Sequence, residues 1–127
     1  MAVSEKRDPD AMFAALCSDD AREILVAAHA EPRSAEEFAE HCDVSLPTVY
    51  RRVNTLVEQD LLRENVQIDP DGNHYTLYVS NLDSLEFVLE AAGFVASVRL
   101  RRDIVDRFGE FWRDLGAHST RDTSNHS

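Results

Sequence analysis

Residues 34–61 carry two helix starts separated by a tight turn, and this arrangement constrains the fold more than any other stretch of the chain. Ser34-Ala35-Glu36-Glu37 is a capping box: the Ser34 oxygen takes the Glu37 backbone N–H while the Glu37 carboxylate reaches back to Ser34. A short helix over 35–41 follows. His41-Cys42-Asp43-Val44 is too short to be another element, and Ser45 then caps a further helix that tolerates Pro47 in its first turn. Val49, Val53, Leu56 and Val57 recur at helical steps and give that helix an apolar stripe running on to Leu61-Leu62.

The flanks extend the pattern. From Asp10, Met12, Phe13 and Leu16 have helical spacing; Ser18 can cap a second helix to Ala30, striped by Ile24, Leu25 and Ala28 and ended by Glu31-Pro32. After Leu62 the apolar residues alternate instead, through Leu62, Val66 and Ile68 and again through Tyr75, Leu77 and Val79. Between them Asp69-Pro70-Asp71-Gly72-Asn73 is a turn, because Pro70 fixes its own dihedral and Gly72 tolerates a positive one. A two-stranded hairpin is the result. From Asp83 a helical stripe returns, stepping by three or four through Leu85, Leu89, Ala92, Ala96, Leu100, Ile104, Phe108, Phe111 and Leu115, with weak points at Gly93 and Gly109.

These readings predict a mainly α chain with a small β-hairpin. A winged helix-turn-helix is expected over 9–82 and a long C-terminal helix over 83–116, between a disordered N-terminus at 1–8 and a disordered tail at 117–127. A length of 127 residues suits one compact domain and excludes large barrels and doubly wound enzymes. Two cysteines, Cys17 and Cys42, are too few for a secreted disulfide framework. No apolar run approaches the roughly 20 residues of a membrane span, and the first residues lack the order of a signal peptide. A soluble cytoplasmic protein is expected.

Net charge is -11, from 24 acidic against 13 basic residues, which taken alone argues against a polyanionic partner. Lys6 is nevertheless the only lysine and every other basic residue is an arginine. This composition resembles that of proteins from salt-loving organisms, an ordinary acidic protein being the alternative. At about 1 M salt the Debye length falls to about 3 Å, so net charge then says little about partners.

The recognition chemistry sits on the helix after the turn. With Val49, Val53 and Leu56 inward, its other face carries Pro47, Thr48, Tyr50, Arg51, Arg52 and Asn54. An α-helix fits the major groove, where its N-terminal residues reach base edges. The planar fork of Arg51 can take guanine O6 and N7, and Arg52, nearer the core seam, suits a phosphate or an internal ion pair. Ser45 caps the helix at a point where unpaired N–H groups can meet a phosphate. In the hairpin, Asn73 and His74 can hydrogen-bond a phosphate or reach the minor groove, Arg63 can add charge at the base, and Asp69 and Asp71 at the tip repel DNA. The bland alternative is an ordinary solvated face.

The segment VSLPTVYRRVNTLVEQDLL, followed by a hairpin ending HYTLYVS, resembles the winged helix-turn-helix regulators of the ArsR type, and ALCSDDAREILVAA resembles the family segment packed beneath the reading head. The resemblance covers about residues 10–82. It implies contact with double-stranded DNA through Ser45, Pro47, Thr48, Tyr50 and Arg51, action as a homodimer, and repression as the commoner outcome. Relatives often carry small hydroxyl residues where Pro47 and Tyr50 stand, so the operator sequence does not carry over.

Metal sensing, common in that family, finds no ligand pattern: Cys17, Cys42, His29 and His41 each stand alone, and His118 and His126 lie in the tail. No cofactor or metal site and no catalytic constellation is expected. Cys17 and Cys42 read as small buried hydrophobes, with redox sensing the minority alternative. The C-terminal stripe is too apolar to stand in water, so a twofold dimer through the first and last helices is expected, folding back onto the head being the alternative. A rival function is a protein-interaction module docking onto transcription machinery, which the acidic hairpin tip favours. The effector is not legible.

Overall fold

In the computed structural model the described residues are 2–101. Strand β1 (Ala2–Arg7) leads into helices α1 (Pro9–Leu16), α2 (Asp19–Ala30), α3 (Ala35–Cys42) and α4 (Leu46–Glu58). Strands β2 (Leu62–Ile68), β3 (His74–Ser80), β4 (Leu82–Glu90) and β5 (Gly93–Arg101) follow. β2 and β3 form one antiparallel sheet; the other has the order β1-β5-β4.

Local hydrogen bonds start and stop the helices. Ser18 Oγ accepts from the Ala21 N–H at 3.1 Å, and the box at α3 is closed, with Ser34 Oγ accepting from the Glu37 N–H at 3.2 Å and Glu37 Oε1 from the Ser34 N–H at 3.1 Å. Each such cap contributes about 1 kcal/mol. Asp43 ends α3 in the left-handed region, φ 55° and ψ 49°, a conformation that Asp tolerates better than most residues. That one residue turns the chain from α3 into α4.

Met12, Ile24, Phe38, Val49, Val53, Leu56, Leu61 and Leu62 form the centre of the core, each essentially without exposed surface. Burial of side chains this size contributes roughly 1.5–3 kcal/mol apiece. The hairpin of β2 and β3 is fixed to this head twice. The Phe38 and Tyr78 rings lie 6.0 Å apart, and Arg33 and Tyr78 exchange backbone hydrogen bonds of 2.9 and 2.7 Å. A wing is thereby held against the helix-turn-helix.

The expected long C-terminal helix is overturned: residues 82–101 form the β4–β5 hairpin, so the described residues hold four helices and five strands rather than a mainly α fold. Both periods fit the sequence here. Leu85, Leu89 and Ala92 satisfy a helix, while Leu85-Phe87-Leu89 and Ala96-Val98-Leu100 satisfy a strand, and valines at 88, 95 and 98 favour the pleated alternative. Gly93 decides it. At φ 135° it adopts backbone that few other residues reach, and it pairs with Glu90 across the two-residue turn Ala91-Ala92.

The N-terminus is a second correction. Residues 2–7, expected to lack order, pair with β5 in register from Ala2 opposite Arg101 to Arg7 opposite Ala96. Strand formation here rests on backbone hydrogen bonds, so the polar run Ser4-Glu5-Lys6-Arg7 gave no apolar signal; charge also suits an edge strand, since it discourages further pairing. The stretch 102–116 of the expected helix and the tail 117–127, with Arg102, Arg107, Arg113, His118 and His126, lie outside the described residues. No helix among the described residues is long and apolar enough to cross a membrane.

Candidate nucleic-acid interface

α4 is built to present its first turns. Leu46 and Pro47 open it, and the Ser45 side chain accepts from the Thr48 N–H at 3.4 Å while donating from its hydroxyl to Thr48 Oγ1 at 3.0 Å. Ser45 and Thr48 are therefore locked to each other. Val49, Val53 and Leu56 are buried, which turns Pro47, Tyr50, Arg51 and Asn54 to solvent on the other side. Tyr50, 42% exposed, is a large ring held partly in water, and the Arg51 guanidinium follows it along the chain. Thr55 Oγ1 donates to the Arg51 carbonyl at 3.2 Å, satisfying the backbone behind that guanidinium. Arg52 differs: it is half-buried, and its Nε is enclosed without a hydrogen-bond partner. Arg52 belongs to the seam rather than the open face.

The wing carries the remaining expected residues. Ile68 pairs with His74, and the turn between them is closed by Asp69, whose Oδ1 accepts from the backbone N–H groups of Asp71 and Asn73 at 2.9 Å each. Gly72, at φ 84°, completes it. Asp69 is thus a turn residue whose carboxylate is engaged by its own backbone, and Asp71 is the tip carboxylate without that duty. Asn73 and His74 are both exposed. Arg63 at the wing base pairs through Nε with Asp60 at 3.3 Å, so part of its charge is answered within the chain. Val66 and Ile68, 58% and 64% exposed, give the wing an apolar face next to its acidic tip.

Tyr50 and His74 do come together. They line a cleft of about 190 Å³ between the start of α3, the start of α4 and β3, with Glu36, Tyr75, Thr76 and Tyr78 among its other walls. All three tyrosines of the chain line it. Burial, then the charges of Glu64, Tyr50 and Glu36, push the Tyr78 phenol above its ordinary value. Sequence reasoning missed this cleft, since only Tyr50 and His74 had been singled out.

The cysteines differ in setting. Cys17 is exposed, against the expectation of a buried hydrophobe, and Cys42 is half-buried. Burial, a hydrogen bond to Glu23 and the charges of Glu23 and Asp20 push the Cys42 thiol up to about 11, which disfavours the reactive thiolate. Among the described residues no group of three or more His, Cys, Asp and Glu side chains is placed to hold a metal ion.

Residues 11–65 match a family model described as a helix-turn-helix domain, a span from α1 into β2. No curated protein matches the chain. That match supports a helix-turn-helix, DNA-binding regulator of transcription in general.

Proposed function

We propose that this protein is a sequence-specific regulator of the ArsR type that reads the major groove with the first turns of α4. One observation carries the reading: Pro47, Thr48, Tyr50, Arg51 and Asn54 stand on the solvent side of a helix whose opposite side is anchored by Val49, Val53 and Leu56. Hydroxyl, amide, aromatic and guanidinium groups are gathered there with no structural duty to the core except the Ser45–Thr48 cap. Arg51 takes a guanine edge, Tyr50 and Asn54 supply further base or phosphate contacts, Ser45 and Thr48 meet a phosphate at the helix start, and Arg52 supports the face from the seam. Asn73 and His74 add contacts from the wing.

Two copies act together in this reading, with α4 helices about 34 Å apart on successive major grooves of a near-palindromic site. The pairing surface is the apolar patch where α1 meets the β4–β5 hairpin: Phe13, Leu89 and Phe94 are all exposed there. Repression follows from occupancy of a promoter site. Selection of a random duplex library on the full chain tests this: a recovered inverted repeat supports the reading, and recovery of no enriched sequence over a range of salt overturns it.

A protein-docking role is the second reading. It is favoured by the wing, where Val66 and Ile68 lie exposed behind a tip that carries Asp71 and no basic residue.

A further inference from the structure

We propose that the cleft between Tyr50 and the wing is a binding site for a small alkylammonium ion. Its walls combine aromatic side chains with a carboxylate. Tyr50 stands on one side; strand alternation puts His74, Thr76 and Tyr78 on a single face of β3 at the other, and Glu36 closes the α3 end. Glu64 is registered directly opposite Tyr78, on the same sheet face, so a second carboxylate flanks the phenol. The field of both carboxylates is felt inside the cleft, since they are among the causes that raise the Tyr78 phenol after burial itself. No arginine or lysine is among the described wall residues. Arg33, whose backbone bonds to Tyr78, pairs its guanidinium with Glu31 and Glu37.

Aromatic faces with a nearby carboxylate are the recognition chemistry of alkylated ammonium groups, which are weakly hydrated and gain from the ring quadrupole. A phosphate or carboxylate ligand is disfavoured by the same two acids. The cleft volume of about 190 Å³ falls below the roughly 300–1,000 Å³ of sites for drug-sized ligands, which limits the occupant to a few heavy atoms. A nucleotide or a folded peptide segment is too large. This site does not depend on the DNA reading, because it is complete in the free protein.

The test is a titration of the full chain with choline, followed by the ring resonances of its three tyrosines in NMR, without DNA and against sodium chloride at equal ionic strength. The neutral isostere 3,3-dimethyl-1-butanol is titrated alongside. Saturable shifts of the Tyr50 and Tyr78 rings are expected with choline and not with the isostere. Glu36→Gln, on an exposed helix position, and Tyr50→Leu, on the open face of α4, are each expected to weaken choline binding about two- to fivefold, the size of one such contact at an exposed site. Shifts no larger than those of sodium chloride, equal binding of the isostere, or unchanged affinity in Glu36→Gln would each overturn the proposal.

Discussion

The Asn81 side chain donates from Nδ2 to the backbone carbonyl of Asp60 at 2.9 Å, joining the end of α4 to the link between the two sheets. Asn81 is 1% exposed, its own N–H donates to the Leu61 carbonyl at 2.8 Å, and its carbonyl accepts from the Arg101 N–H at 2.8 Å. Asp60 is left-handed, at φ 64°, and its carboxylate faces Arg7 of β1 at 3.6 Å and Arg63 of β2 at 3.3 Å. Wing, α4 and N-terminal strand thus meet at one junction. Asn81→Ala leaves the Asp60 carbonyl without its donor and is expected to cost about 1–3 kcal/mol in urea unfolding. A loss below a few tenths of a kcal/mol would show that the junction does not hold the sheets together.

The two wing-tip acids should separate by role. Asp69→Ala removes the acceptor for two backbone N–H groups and should loosen the turn, with faster amide exchange at Asp71 and Asn73. Asp71→Asn removes only charge and should leave exchange unchanged while strengthening DNA binding at low salt, with the gain fading as salt rises. The reverse assignment, in which Asp69→Ala strengthens DNA binding and leaves exchange untouched, would contradict the hydrogen-bond geometry.

The helical head was legible in the sequence because its signals are local. Ser18, Ser34 and Ser45 cap within three residues of themselves, and the stripe Val49, Val53, Leu56 needs no distant partner to be read. The turn at Asp69–Asn73 was legible for the same reason. Residues 82–101 were not, because Leu85 and Leu89 satisfy a helical and a pleated period alike, and the choice depends on pairing with residues 2–7 at the far end of the chain. The cleft was hidden likewise: Glu36, Tyr50 and Tyr78 lie on three separate elements, and tertiary contacts such as the Arg33–Tyr78 bridge and the Phe38–Tyr78 pair bring them to one place. Of the interface, the α4 face was readable, and the internal duties of Asp69 and Arg63 were not.

If α4 reads the operator, Arg51→Ala is expected to weaken binding to the selected duplex by about 1–3 kcal/mol and to relax preference at a single base pair. Tyr50→Ala should weaken binding as well. Neither residue is buried, so both variants should keep the unfolding midpoint of the parent within about 0.5 kcal/mol. Fluorescence anisotropy with the selected site and with a scrambled duplex, at several salt concentrations, measures both quantities. Full affinity in both variants would remove α4 from recognition.

Cys42 should be slow toward iodoacetamide at neutral pH, with the rate still rising between about pH 9 and 11 as the thiolate forms. Glu23→Gln removes a charge that opposes ionisation and should move that rise to lower pH. The same raised value stabilises the folded state at pH below the ordinary thiol value of 9.0; this contribution is lost as pH climbs toward about 11. Cys17, being exposed, should be labelled first by a neutral-pH probe. Rapid neutral-pH labelling of Cys42 in the folded chain, seen by peptide mapping, would refute the assignment.

Phe13 stacks on Phe87 with centroids 4.2 Å apart and meets Phe94 edge-on at 5.8 Å, so α1 and the β4–β5 hairpin are joined within one chain by three rings. Leu89 and Phe94 nevertheless remain 71% and 51% exposed, more apolar surface than intrachain packing needs. Phe87, partly buried against the core, should matter for folding: Phe87→Ala is expected to cost about 3 kcal/mol. Leu89→Ser with Phe94→Ser removes mainly exposed surface and should cost less stability, at most the edge contact with Phe13, about 0.5–1.5 kcal/mol. If two copies pair through this patch, that double variant should sediment as a monomer at concentrations where the parent is a dimer. It should then bind a half-site as the parent does but lose the gain in affinity that the full inverted repeat provides. A double variant that stays dimeric in analytical ultracentrifugation would move the pairing surface elsewhere and leave the role of α4 untouched.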